Sequence, residues 1–146
     1  MLNQMNFVKI NRLKGIVNNV FKTNVDKKSR ESLIIEARAT CYKIMRDEMR
    51  MSLAEIGGYF LKSHATVLHG VKEYPYMLKF KPDLVLKYKA CINLWRENEA
   101  SFNIEKEIVD ILLIKKSVTD LQKSNCLLSL AVTQLKDEVI KLKKLQ

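Results

Sequence analysis

The 146-residue chain is long enough for one modest domain, or for a small domain with an extension. Its net charge of +10, concentrated in the first 100 positions by 18 basic against 10 acidic residues, favours a polyanionic partner over a merely solvated surface. The three cysteines are widely spaced, so we expect neither a zinc module nor a disulfide framework, and a reducing cytoplasm as the compartment. There is no 18-residue apolar stretch and no leader-like start, so we expect neither a membrane span nor a signal peptide.

The first half of the chain is predicted to be helical. Four Gly and two Pro are few, and apolar residues recur at helical spacing over residues 10–21. A polar loop follows over residues 22–30, and a second helix is predicted at about residues 32–50. The same spacing predicts an all-α fold.

Two short helices follow with a tight connection. Ser52 and Glu55 form a capping box at the start of the third helix. Ser63 is a good N-cap for a fourth helix over about residues 64–74, which the proline that follows is expected to stop. This arrangement predicts a helix-turn-helix over about residues 52–74, with its second helix presenting small polar residues at its start.

Two blocks of sequence carry a recognisable pattern: Ser52-Leu53-Ala54-Glu55-Ile56-Gly57, and Ser63-His64-Ala65-Thr66-Val67-Leu68-His69 followed by Lys72. They resemble the C-terminal helix-turn-helix domain of the bacterial replication initiator DnaA family, a Trp-repressor-like fold. Earlier apolar residues match that family's first helix, and the resemblance covers roughly residues 8–75.

The resemblance implies two groups of DNA-contacting residues. Those expected to read bases are Arg30, in the minor groove, and Ser63, His64, Ala65 and Thr66, in the major groove. Those expected to hold the phosphate backbone are Arg38, Arg46, Leu53, Ala54, Lys62 and Lys72. Leu53 and Ala54 would do so through amides at a helix N-terminus.

Three positions depart from the family pattern. Ser63 replaces an Asp that accepts from a cytosine amine, Leu61 and Lys62 form a shorter turn without the family's glycines, and Ala39 replaces a Gln. The fold and the groove use carry over, whereas the family's own DNA site does not follow. The few glycines cannot form a P-loop, so we expect no nucleotide, no cofactor and no ATP-driven initiation.

The tail shows a different periodicity. Pro82 suits the first turn of another helix, predicted to run through Trp95 and to be followed by a hinge at residues 99–103. Beyond it, apolar residues alternate at the a and d positions of a heptad, with Asn125 at one a position. The predicted dimerisation residues are Ile111, Ile114, Val118, Leu121, Asn125, Leu128, Val132, Leu135, Val139 and Leu142.

β-branched residues at a with Leu at d favour a parallel two-stranded coiled coil. Other apolar residues lie off this seam, and they keep open a helix packed on its own domain or a wider, tetrameric seam. The off-seam residues are Leu112, Leu113, Leu127, Leu130 and Ile140. The predicted organisation is an arm at residues 1–8, a DNA-binding domain with an extra helix at 9–100, and a dimerisation helix at 101–146.

These patterns predict a sequence-specific, double-stranded DNA-binding homodimer of a bacterial or phage-infected cell, associated with the nucleoid. It would regulate transcription or assist replication. An enzyme is disfavoured, because His64 and His69 are five residues apart and not the four that place two metal ligands on one helix face. RNA is disfavoured too, since its A-form major groove excludes a helix. The alternative is a scaffold protein that oligomerises through its coiled coil.

Overall fold

The computed structural model describes residues 4–146, and this part of the chain folds into five helices. They are α1 (Gln4–Phe21), α2 (Ser32–Asp47), α3 (Leu53–Phe60), α4 (His64–Phe80) and α5 (Pro82–Lys144). The predicted all-α fold, with a long C-terminal helix after the helix-turn-helix, is confirmed.

Helix α1 begins earlier than the sequence pattern predicts. Residues 4–8, predicted as part of an arm, already belong to the helix, while residues 1–3 lie outside the described part. No glycine or proline interrupts this segment, so nothing stops the helix from extending. The pattern missed it because Phe7 and Val8 are exposed, and apolar periodicity begins only where α1 meets the core at Ile10.

Helix α2 lies at the centre of the hydrophobic core and contacts α1, α3 and α4. Its buried side chains include both Ile44 and Met45. Thr40 is buried among them, and its Oγ1 bonds the Glu36 carbonyl at 2.8 Å and the Tyr74 hydroxyl at 2.7 Å. This satisfied polar pair ties α2 to α4. Helix α2 stops at Asp47, before the predicted end, and Arg50 takes a left-handed conformation beyond it.

Helix α4 continues past the proline that was predicted to stop it. Pro75 lies inside the helix, which ends at Phe80. A proline there removes one backbone hydrogen bond, so the continuation needs compensation from packing. Tyr74 is fully buried, and Met77 and Leu78 pack partly buried against the core, which supplies that compensation.

Helix α5 starts at Pro82 as predicted but does not end near Trp95. Its buried residues Leu84, Cys91 and Trp95 follow one face. Residues 99–103, predicted as a hinge, are helical, and they contain neither glycine nor proline to interrupt the helix.

The chain divides into two compact units, the first up to Glu99 and the second from Ala100 to Gln146. The first contains the core just described. In the second, every residue from 103 to 146 is exposed. No helix of the described residues is long and apolar enough to cross a membrane.

Candidate DNA interface

The N-terminus of α3 is built by the predicted capping box. The Ser52 hydroxyl accepts from the Glu55 amide at 3.2 Å, and the Glu55 carboxylate accepts from the Ser52 amide at 2.8 Å. The Ser52 hydroxyl also donates to the Glu55 carboxylate at 2.8 Å. The hydrogen bonds that this carboxylate accepts, first from the Ser52 backbone and then from its side chain, lower the pKa of the Glu55 carboxyl. The helix geometry leaves the amides of Leu53 and Ala54 without an intrahelical acceptor, and Ala54 is exposed. Two outward amides at a helix N-terminus suit a phosphate.

The connection between α3 and α4 depends on a close backbone approach. Leu61 caps α3 in the left-handed region, at φ 52° and ψ 43°, and the Lys62 amide donates to the Gly57 carbonyl at 2.9 Å. A Cβ on Gly57 would lie 2.4 Å from the Lys62 carbonyl oxygen. Only glycine therefore lets the turn approach α3 this closely, which sets the start of α4 relative to α3.

The start of α4 presents four predicted base-reading residues to solvent. Ser63, His64, Ala65 and Thr66 are all exposed. Ser63 is also the N-cap, because its Oγ accepts from the Thr66 amide at 3.3 Å and shares a hydrogen bond with Thr66 Oγ1 at 3.0 Å. The hydroxyls of Ser63 and Thr66 therefore already have hydrogen-bond partners within α4. His64 offers the polar side chain, and Ala65 the apolar one, that are left to contact a base.

Arg38 holds the basic loop that carries Arg30. Its Nε donates to the Val25 carbonyl at 2.7 Å, one Nη donates to the Ser29 carbonyl at 3.1 Å, and the other donates to the Lys27 carbonyl. No sequence pattern indicated this bracing role. Contact of Arg38 with a phosphate stays a prediction, since its guanidinium already serves the loop.

One cleft brings the two halves of the predicted interface together. Arg30 from the loop, Lys62 from the turn and Thr66 from α4 line a cleft of about 300 Å³. Ala39, where the family pattern has Gln, also lines it. So does His69, which is exposed and lies three residues after Thr66 on the same face of α4.

The remaining residues predicted to contact the DNA phosphate backbone lie on three different segments of the domain. Arg46 is exposed, and its Nη1 donates to the Met51 carbonyl at 2.8 Å, so it also ties the end of α2 to the segment before α3. Lys62 and Lys72 are exposed on the turn and on α4. Across residues 4–146, no group of three or more His, Cys, Asp or Glu residues could hold a metal ion.

Residues 13–73 match the family model described as the bacterial dnaA protein helix-turn-helix. This segment is similar to the DnaA-type helix-turn-helix domain. The resemblance seen in the sequence is thereby confirmed, and the matched segment contains the α3–turn–α4 unit with its exposed helix start. The DnaA-type domain is a DNA-binding domain and not a catalytic one. Comparison with curated proteins and with solved structures gave no match.

Proposed function

We propose that this chain binds double-stranded DNA sequence-specifically as a homodimer, and that it regulates transcription or assists replication. One observation carries the proposal: Arg30 of the loop, Lys62 of the turn and Thr66 in the first turn of α4 line one cleft, within the segment that matches the DnaA helix-turn-helix. Base-reading and phosphate-binding groups then act on the same stretch of duplex.

In this proposal α4 enters the major groove with its first turn. His64 bonds base edges, and Ala65 contacts a thymine methyl group. The amides of Leu53 and Ala54 bind a phosphate beside that groove. Arg30 reaches the adjacent minor groove, where an arginine reads groove width.

The second unit supplies the dimer contact. Its apolar a and d residues are between 47% and 64% exposed on a helix that has little else to stabilise it. A long helix with an unpaired apolar stripe is stabilised by a partner helix, and Asn125 at an a position favours two parallel strands. The flanking charges agree, since a parallel pair places Asp110 by Lys115 and Glu138 by Lys143 of the other chain.

The first experiment measures DNA affinity by fluorescence anisotropy across a salt series. We expect log K to fall with log salt by about 0.9 for each phosphate neutralised. Arg30→Ala should weaken binding to a selected site about 5-fold to 100-fold. Lys144→Ala removes the same charge from the last turn of α5 and should leave affinity nearly unchanged. A flat salt dependence would favour the scaffold alternative.

The second experiment tests the dimer with the full-length chain. Leu121→Gln with Leu128→Gln removes two d residues without changing charge. The variant should sediment as a monomer and lose most specific affinity, because joined domains gain about 10²–10⁴-fold from avidity. Sequences selected from a random duplex pool should contain inverted repeats, as a two-fold dimer requires. A monomeric wild-type chain would contradict the dimer.

A further inference from the structure

The second unit carries apolar residues that a two-stranded coiled coil leaves uncovered. They occupy the b, c and f positions of the heptad. One of them, Ile140, lies further along the helix, and the others form what we call the outer face: Val109, Leu112, Leu113, Cys126, Leu127 and Leu130. All six are exposed, with Leu127 at 68% and Leu113 at 59%. In a dimer these positions point to solvent, where polar residues are the norm. A dimer alone therefore leaves a large apolar surface in water.

The outer face has an internal symmetry. Its residues form two clusters, at 109–113 and 126–130. Between them the residues at the b, c and f positions are polar: Lys116, Thr119, Asp120 and Lys123. Each residue of one cluster has a counterpart in the other at the same distance from the midpoint between residues 119 and 120. Val109 corresponds to Leu130 in this way, and Leu112 to Leu127. Leu113 corresponds to Cys126.

Such a pattern is self-complementary for two helices that run in opposite directions. An antiparallel two-fold contact centred on that midpoint sets each cluster against the other cluster of the second helix. In a parallel contact each cluster would instead face the same cluster of the second helix. The mirror symmetry of the two clusters would then have no role in the contact. The order of the residues thus selects the antiparallel arrangement.

We propose that a second copy of this chain docks antiparallel on the outer face, so that dimers associate side by side. The proposal rests on the coiled-coil dimer proposed above. Six apolar side chains from each helix would bury on the order of 1,200 Å² in total, which reaches the lower end of specific, stable interfaces. Each dimer has two outer faces on opposite sides, so the larger assemblies contain even numbers of chains.

The polar centre of the contact is compatible with this pairing. In the antiparallel arrangement Lys116 lies opposite Lys123 of the second helix, and Asp120 lies about one turn from both. Each carboxylate is thereby within reach of ammonium groups from the other helix. The excess of lysine at this centre predicts that moderate salt strengthens the contact, the reverse of its effect on DNA binding.

Sedimentation equilibrium of the full-length chain, over a wide concentration range, tests the proposal. The wild type should form species larger than a dimer, and Leu112→Gln with Leu127→Gln should abolish them while leaving the dimer. The seam variant Leu121→Gln with Leu128→Gln should lose the dimer as well. A wild type that remains dimeric throughout would overturn the outer-face contact and leave the proposed function intact. A monomeric wild type would overturn both.

Oxidative crosslinking tests the direction of the contact. Leu113→Cys places a thiol opposite Cys126 of the second helix only in the antiparallel arrangement, so a disulfide between these two positions is expected by peptide mass spectrometry. Thr133→Cys puts a thiol at another exposed b position that has no such counterpart, and should give no crosslink to Cys126. Equal crosslinking of both variants, or larger species that persist after Leu112→Gln with Leu127→Gln, would overturn the proposal.

Discussion

Gly57 and Gly58 are adjacent in α3 but have very different surroundings. A Cβ on Gly57 would lie 2.4 Å from the Lys62 carbonyl oxygen and 3.4 Å from its carbon, whereas a Cβ on Gly58 would meet nothing within 4 Å. Gly57→Ala and Gly58→Ala are therefore the same chemical change with and without a steric conflict. The pair isolates the contribution of the close approach between α3 and the turn.

The two substitutions should change stability in opposite directions. Alanine in a helix interior stabilises by roughly 0.5–1 kcal/mol over glycine, and Gly58→Ala should gain that amount. At position 57 the backbone at Lys62 must retreat by roughly 1 Å, and overpacking of this kind costs about 1–3 kcal/mol. Loss of the Lys62 amide bond to the Gly57 carbonyl would add about 1 kcal/mol. We expect a net loss of about 1–3 kcal/mol for Gly57→Ala.

Urea unfolding followed by Trp95 fluorescence measures this difference. Trp95 is the single tryptophan of the chain and is buried in the first unit, so its signal reports on the unit that contains the turn. A loss of 1 kcal/mol corresponds to about 4–8 °C in the melting temperature of a domain this size. Equal stability of the two variants would refute the reasoning. Gly57→Ala should also weaken DNA binding at a temperature where it is still folded.

Three further predictions concern single positions. Leu61→Gly should stabilise the first unit by about 1 kcal/mol in the same urea assay, because a left-handed φ strains leucine and not glycine; no gain would contradict the strain. His64→Ala should cost about 1–3 kcal/mol of binding free energy on a selected DNA site and little on random duplex, whereas Lys72→Ala should weaken binding to both DNAs about equally. If both variants lost the same affinity on both DNAs, base reading by α4 would be contradicted. Asn125→Val should raise the melting temperature of the coiled coil and broaden the masses seen in sedimentation, and an unchanged single species would count against the parallel seam.

The sequence predicted the features that depend on neighbouring residues. The Ser52 capping box and the Ser63 cap need only residues three positions apart, and the structure shows both. The continuation of α4 through Pro75 was not predictable in this way, since it depends on burial of Tyr74 against α2. The bracing role of Arg38 was missed for a similar reason, because its acceptors lie 9 to 13 residues earlier in the chain.

The three carbonyls held by Arg38 also have a thermodynamic consequence for DNA binding. Fixing the backbone of one residue costs about 1–2 kcal/mol, and a disordered basic arm would incur that cost each time it binds a groove. Here the loop is fixed by α2 when the domain folds, with further support from the Val25 amide, which donates to Asn18 Oδ1 at 3.0 Å. Arg30 therefore meets the duplex on a preorganised backbone, and only its own side chain has to become ordered on binding.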